Sequence, residues 1–265
     1  MTHVYNVIIV APHLGLAKLV EILPGIEIAA DLPAVYIKPA NAVVISDTHI
    51  GYEDEMASQG VFIPRVQKKR MIEAYTKALN YFKTRKLVVN GDVKHSFSRL
   101  TKQEREELSQ IFTDLKEKDV DVTIIRGNHD NYLAQLAEKF DVRIEESLVF
   151  DNIVLYHGHT EVVPEKGKIY VIGHEHPRIS IRDSLGFKRR FKAFLVVPLK
   201  EGATALVLPS TGIYQPGNDI SLIRSNYLSP LIREHAILEK AKSYVIVEGE
   251  GIMEFPELEL IKDLI

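Results

Sequence analysis

The chain has 265 residues, 46% of them apolar and 26% charged, with a formal net charge of −3. That composition excludes a disordered tail, a fibre, a coiled coil and a protein that coats nucleic acid through bulk positive charge, and it leaves ample length for a globular core. Cysteine is absent, so disulfides, thiolate zinc sites, iron–sulfur clusters and cysteine catalysis are excluded, and a reducing, cytoplasmic setting is expected. The apolar stretch at residues 7–11 has no basic segment before it and is followed by Pro12 and His13, unlike a signal peptide. No run approaches the roughly 18 to 20 apolar residues of a membrane span.

Along the chain, strands are predicted at 4–10 and 35–37. Three short runs at 43–45, 87–89 and 122–125 are apolar without alternation, the pattern of strands buried on both faces. Between them the apolar positions step by three and four: Ile72, Tyr75, Ala78, Leu79 and Phe82 within 65–85, then Leu108, Ile111, Phe112 and Leu115 within 102–118. Thr101 and Glu104 form a capping box at the start of the second helix. A shorter helix over 132–140 completes a βαβαβα order, which predicts a mostly parallel sheet with helices outside it. After about residue 142 strand-like runs dominate, at 148–150, 153–156, 169–172, 179–181, 194–197 and 205–208, and read as a second, more antiparallel sheet. The tail carries a helical stretch at 230–242 and strands at 244–247 and 252–255. The expectation is an α/β protein of two packed sheets flanked by helices, one domain over 1–265 with additions at 1–40 and 222–265. Leu258, Leu260, Ile261, Leu264 and Ile265 in the tail read equally as core completion or as a homodimer surface.

Seven of the ten histidines fall in five short stretches: Asp47-Thr48-His49, Gly91-Asp92-Val93-Lys94-His95, Gly127-Asn128-His129-Asp130, His157-Gly158-His159 and Gly173-His174-Glu175-His176. Four directly follow a strand-like run and the fifth ends one. The carboxyl ends of parallel strands form the ligand crevice of an α/β sheet, so Asp47, His49, Asp92, Asn128 and His129 are expected to converge at one edge. Histidine, aspartate and asparagine without cysteine suit Mn²⁺, Fe or Zn²⁺ with open coordination positions, not a closed structural zinc site. In Asp-x-His and His-x-His both side chains lie on one face of an extended segment. Taken singly, each stretch has an ordinary reading as a turn or a solvated loop; the ordered set of five at strand ends does not.

The series D-x-H, G-D-x-x-H, G-N-H-D, H, G-H-x-H resembles the calcineurin-like metallophosphoesterase superfamily over about residues 42–210. SDTHIGYE and GDVKH look most like archaeal phosphoesterases related to the SbcD-type repair nucleases and like the bacterial DNA-ligase-associated phosphoesterases. The resemblance implies a four-layer αββα sandwich of two mixed sheets and a two-metal phosphodiesterase, with manganese the first choice of ion and iron or zinc the others. It implies one ion held by Asp47, His49, Asp92 and His176, the other by Asp92, Asn128, His157 and His174, with Asp92 bridging. It makes His129 the catalytic histidine that protonates the leaving oxygen, with His95 beside it, orienting it or touching phosphate, and Asp130 a second candidate to orient it. His159 is a substrate contact or a neighbour of the site.

Substrate contacts are the least determined. Lys188-Arg189-Arg190 and Lys192, flanked by Phe187 and Phe191, lie between predicted strands behind the G-H-E-H stretch. They fit a nucleic-acid backbone and a base, although a solvated hairpin is the more ordinary reading. Arg65 and Tyr52 follow the first motif closely enough to line a pocket, while Lys68-Lys69-Arg70 is more simply a solvated helix face. Three functions remain open at this stage: cleavage of DNA or RNA in repair, cleavage of small nucleotides, and a binding scaffold that has lost catalysis.

Overall fold

The computed structural model describes residues 8–10, 19–29, 31–182 and 188–263. In chain order the first part holds strands β1 (Ile8–Val10), β2 (Leu19–Leu23), β3 (Ile26–Ala29), β4 (Val35–Ile37) and β5 (Ala42–Ile45), then helices α1 (Tyr52–Ser58) and α2 (Gln67–Phe82). Next come β6 (Lys86–Asn90), α3 (Lys102–Glu117), β7 (Asp121–Ile125), α4 (Ala134–Lys139) and β8 (Arg143–Glu145). The second part holds β9 (Leu148–Phe150), β10 (Ile153–Leu155), β11 (Ile169–Ile172), β12 (Arg178–Arg182), β13 (Lys188–Pro198) and β14 (Thr204–Val207). It closes with α5 (Pro230–His235), β15 (Lys242–Val247) and β16 (Gly251–Glu257).

Among the described residues these strands make two sheets. One runs β2-β3-β4-β5-β6-β7-β8, and its half from β5 to β8 is parallel. The other runs β1-β16-β15-β13-β14-β11-β10-β9, with β12 attached to β13. Alternation along each strand assigns its residues to layers. Val43, Ile45, Leu87 and Val89 pack outward under α2 and α3, against Tyr75, Leu79, Leu108 and Ile111. Val44, Val88 and Ile125 face the other way and meet Leu155, Val171, Phe194 and Leu206 of the second sheet. The outer face of that sheet is covered by Leu231 and Ile232 of α5 and by Leu258 and Ile261 of the tail. The result is the αββα sandwich of two mixed sheets.

Several details depart from the sequence-based expectation. The second sheet is mainly antiparallel, as expected, but it is mixed, because β11 pairs parallel with both β10 and β14. The helix expected over 230–242 stops at His235; after a turn at Leu238–Lys240 the chain is already strand β15. Helix α1 was not anticipated, since YEDEMAS offers no apolar stripe. Its Glu53 carboxylate accepts the N–H groups of Val66 and Gln67, both at 2.9 Å, at the positive end of α2. The tail supplies two strands of the second sheet, and Leu258 and Ile261 complete the core while Leu260 is exposed; Leu264 and Ile265 lie outside the described residues, as do residues 4–7 of the first expected strand.

The capping box is present as expected: the Thr101 hydroxyl accepts from Glu104 N at 3.2 Å and the Glu104 carboxylate accepts from Thr101 N at 2.7 Å. Thr101→Ala should lower unfolding stability by about 1 kcal/mol in urea denaturation; an unchanged midpoint would mean that the cap contributes nothing.

Candidate metal centre

Each of the five motif stretches leaves the carboxyl end of a parallel strand: β5, β6 and β7 in one sheet, β10 and β11 in the other. The two sets of strand ends meet at one edge of the sandwich, and hydrogen bonds sew them together. Ser46 Oγ donates to Asn90 O at 2.8 Å, Asn90 Nδ2 donates to Val171 O across the sheets at 3.2 Å, and His174 N donates to both carboxylate oxygens of Asp47 at 3.2 Å. From the loop after β14, Ser210 Oγ donates to Asp47 O at 2.8 Å.

Three side chains, drawn from two or more of the motif stretches, meet in each of two groups. Asp47, His49 and His176 form one, with His176 Nε2 at 3.0 Å from Asp47 Oδ1 and at 3.3 Å from His49 Nε2. Asp92, His157 and His174 form the other. Asp92 lies between them: its Oδ2 is 3.3 Å from His157 Nε2, 3.8 Å from His49 Nε2 and 4.0 Å from His129 Nε2. Its Oδ1 is already used by the N–H of His129 at 3.0 Å. The His157 tautomer is set by its Nδ1, 2.9 Å from the Asn90 carbonyl, which leaves Nε2 as the free donor atom.

The groups fit a cation. Asn128 Oδ1 and His157 Nε2 are buried without a hydrogen-bond partner, an expensive state for polar atoms unless something else satisfies them. Burial, reinforced by His157, lowers His174 to about 4, and burial holds His49 well below the usual imidazole range, so both are neutral, as ligands must be. Burial opposes the charges of Asp47 and Asp92, yet the surrounding histidines outweigh it and hold both carboxylates below their ordinary range. The same pairing raises His157 to about 9 against its burial. A bound cation competes with that proton for the carboxylates.

Backbone strain is also present at the site. Asp47, His49, Asp92, His174 and His176 all have φ between 45° and 68°, a left-handed conformation that costs a non-glycine residue on the order of 1–3 kcal/mol. It persists because the surroundings leave no room to relax. A methyl group on Gly173 would overlap Ser46 Oγ and lie 2.7 Å from Asp47 Oδ2, and one on Gly127 would overlap both the backbone and the carboxylate of Asp92.

The remaining candidates take these positions. The His129 ring lies over that of His95, with centroids 5.5 Å apart and planes 18° apart, and its Nδ1 is 2.5 Å from the His95 carbonyl. His95 Nδ1 is 3.3 Å from His49 Nδ1, so His95 touches the first group as well. Asp130 does not orient His129. Its buried carboxylate accepts from Val93 N and Gly127 N, both at 2.8 Å, and ties the second motif loop to the third. His159 is half-buried, with its ring 5.4 Å from His157 and 6.1 Å from His174. Arg65 is an exposed residue 3.9 Å from Asp54. Lys188, Arg189 and Arg190 are not a loop between strands but the start of β13, paired with β12. Asp219 engages Lys188 at 3.1 Å and Arg190 at 3.0 Å, while Lys192 Nζ is turned inward onto the Ser210 and Gly212 carbonyls, at 2.7 Å each. Phe187 lies outside the described residues. Sequence reasoning did not single out Ser46, Asn90 or Ser210, and it read Lys192 as a substrate contact, not as a group that holds the Ser210 and Gly212 carbonyls. The first two were visible only as the polar residues that interrupt an apolar run before Asp47 and Asp92.

Imidazoles and carboxylates gathered at strand ends between two sheets make a donor set that could hold metal ions. The sequence profile of the calcineurin-like phosphoesterase superfamily domain matches residues 41–197, more than half of the chain. The chain belongs to that superfamily and is a metal-dependent phosphoesterase. No curated protein sequence matches it. Among solved structures, the crystal structure of the Pseudomonas putida nuclease MPE is similar with a TM-score of 0.59 and 20% identity, over 87% of this chain and 96% of that one. At that identity the likeness bears on the fold. Among the described residues no helix is long and apolar enough to cross a membrane.

Gly173→Ala should displace Asp47 and weaken Mn²⁺ binding on the order of 10- to 100-fold in isothermal titration calorimetry, with the far-ultraviolet circular dichroism unchanged. Wild-type affinity in this variant would show that Asp47 is not held where binding needs it.

Proposed function

We propose that the protein hydrolyses phosphodiester bonds of nucleic acid with a pair of divalent ions, manganese being the best match to the donor set. The single observation behind this reading is the position of Asp92 Oδ2 between two three-residue groups, with the His129 ring alongside. Asp47, His49 and His176 would hold one ion; Asn128, His157 and His174 would hold the other; Asp92, between the two groups, would be shared. Bound there, two such ions supply a water acidified to near-neutral pKa and charge to neutralise the phosphate oxygens.

The chain's own residues do the rest. His129 donates its Nδ1 proton to the His95 carbonyl, which fixes the ring and leaves Nε2 as the atom that, in the doubly protonated ring, delivers its own proton to the departing alkoxide and ends as the neutral imidazole. The His95 ring packs against it and limits its rotation. His159, half-buried beside His157 and His174, would contact a phosphate oxygen. The structural neighbour is a nuclease, which favours a nucleic-acid substrate over a small nucleotide, and the motif detail favours a role in repair.

The test is the Mn²⁺-loaded protein assayed against single-stranded DNA, RNA, free nucleotides and an aryl phosphodiester. Cleavage of DNA and of the aryl diester is expected; turnover of free nucleotides alone would replace the nucleic-acid reading with the small-substrate one. His129→Ala should lose on the order of 10²–10⁴ in kcat while retaining its metal by elemental analysis. Asp92→Asn should lose nearly all activity and bound metal together; a fully active Asp92→Asn enzyme would contradict the bridge.

A further inference from the structure

We infer that Phe97 is a stacking platform for the nucleobase beside the scissile phosphate, on the side of the leaving oxygen; this rests on the nucleic-acid reading above. A single exposed phenylalanine is ordinary on a protein surface. Position, anchoring and exposure set this one apart.

Phe97 is in edge contact with His129, with centroids 5.5 Å apart and planes 86° apart. It therefore stands next to the group that passes a proton to the leaving oxygen. It also ends a continuous row of rings along the mouth of the site: Tyr214 on Tyr52 at 5.7 Å, Tyr52 on His95 at 4.7 Å, His95 on His129 at 5.5 Å, then Phe97. The other four are half-buried, but Phe97 is 58% exposed and has surface left to receive a partner. Phe62 is barer still, at 86%, yet it has no ring contact with the site among the described residues.

The loop that carries Phe97 is anchored from below by two fully buried charges. Glu104 accepts from His95 N at 3.1 Å, Ser96 N at 2.6 Å and Thr101 N at 2.7 Å. Lys94 Nζ donates to the carbonyls of Ser96 and Arg99. Both side chains are 0% exposed. Burying an ammonium and a carboxylate is costly, and here each is used to fix the backbone on either side of one exposed ring. A ring held this way loses little freedom when a partner docks, which is what makes a preorganised contact effective. A planar aromatic surface next to a phosphate site is matched by a nucleobase, and stacking tolerates any base because every base has a π-face.

The test compares cleavage at one central linkage in three single-stranded DNA oligonucleotides: one fully based, one with the base removed 5′ of the linkage, one with it removed 3′. Wild-type Mn²⁺-loaded enzyme should cut one of the two abasic substrates on the order of 10- to 100-fold more slowly than the based one. Phe97→Ala should show the same loss on the based substrate and none on that abasic substrate, and Phe97→Trp should restore the preference. Equal losses on all three substrates would reduce Phe97 to a support for His129 and overturn the inference, as would no loss on any. A wild-type enzyme that cuts none of the oligonucleotides while hydrolysing an aryl diester would overturn the nucleic-acid reading itself, and this inference with it.

Discussion

Asp47 and Asp92 are carboxylates almost without solvent, 0% and 2% exposed, at the seam where two sheets present the ends of their strands. Charge in such a place is tolerable only with compensation, and the surroundings supply it at two levels. Main-chain N–H groups of His174 and His129 take up part of the lone-pair capacity, and a ring of imidazoles faces the rest. Burial holds two of those imidazoles, His49 and His174, below their ordinary range, so full compensation falls to a cation. Much else in the architecture serves that arrangement: the left-handed backbone at five of the motif residues, the glycines packed against Asp47, Asp92 and His157, and the loop after β14 anchored on Asp47 O.

The hydrogen-bonded frame around the site is more extensive than the site. Asp130 binds the second motif loop to the third, and Asn90 joins one sheet to the other through Val171 O while its own carbonyl sets the His157 tautomer. Burial pushes Asp130 up to about 6, a sign of how strongly a third carboxylate is disfavoured so near Asp92. Lys192 plays the converse part: burial lowers its ammonium to about 7, and it is held by carbonyls of the segment that touches Asp47. Such groups are the physical reason the strained ligand backbone does not relax.

Much of this was legible in the residues. Runs of β-branched residues that end in polar motifs located β5, β6, β7 and β11 within a residue or so, because strands buried on both faces leave few alternatives. The Thr101–Glu104 pair marked the start of α3 because a capping box is a local device. Parallel pairing in the second sheet was not legible, since alternation and run length are the same for either direction and β11 finds its partners only in three dimensions. Helix α1 escaped because its stabilisation comes from Glu53 bridging to α2, not from an apolar stripe. The gathering of the motif residues followed from strand-end logic, but the roles of Asp130 and Lys192 did not: a charge that binds backbone groups looks, in sequence, the same as one that meets a substrate.

The central claim is that Asp92 is shared by two ions. Anomalous diffraction from crystals grown with Mn²⁺ measures this directly. The account predicts two peaks about 3.5–4 Å apart, one beside Asp47, His49 and His176 and the other beside Asn128, His157 and His174, both in contact with Asp92. A single peak, or two of which only one touches Asp92, would contradict it.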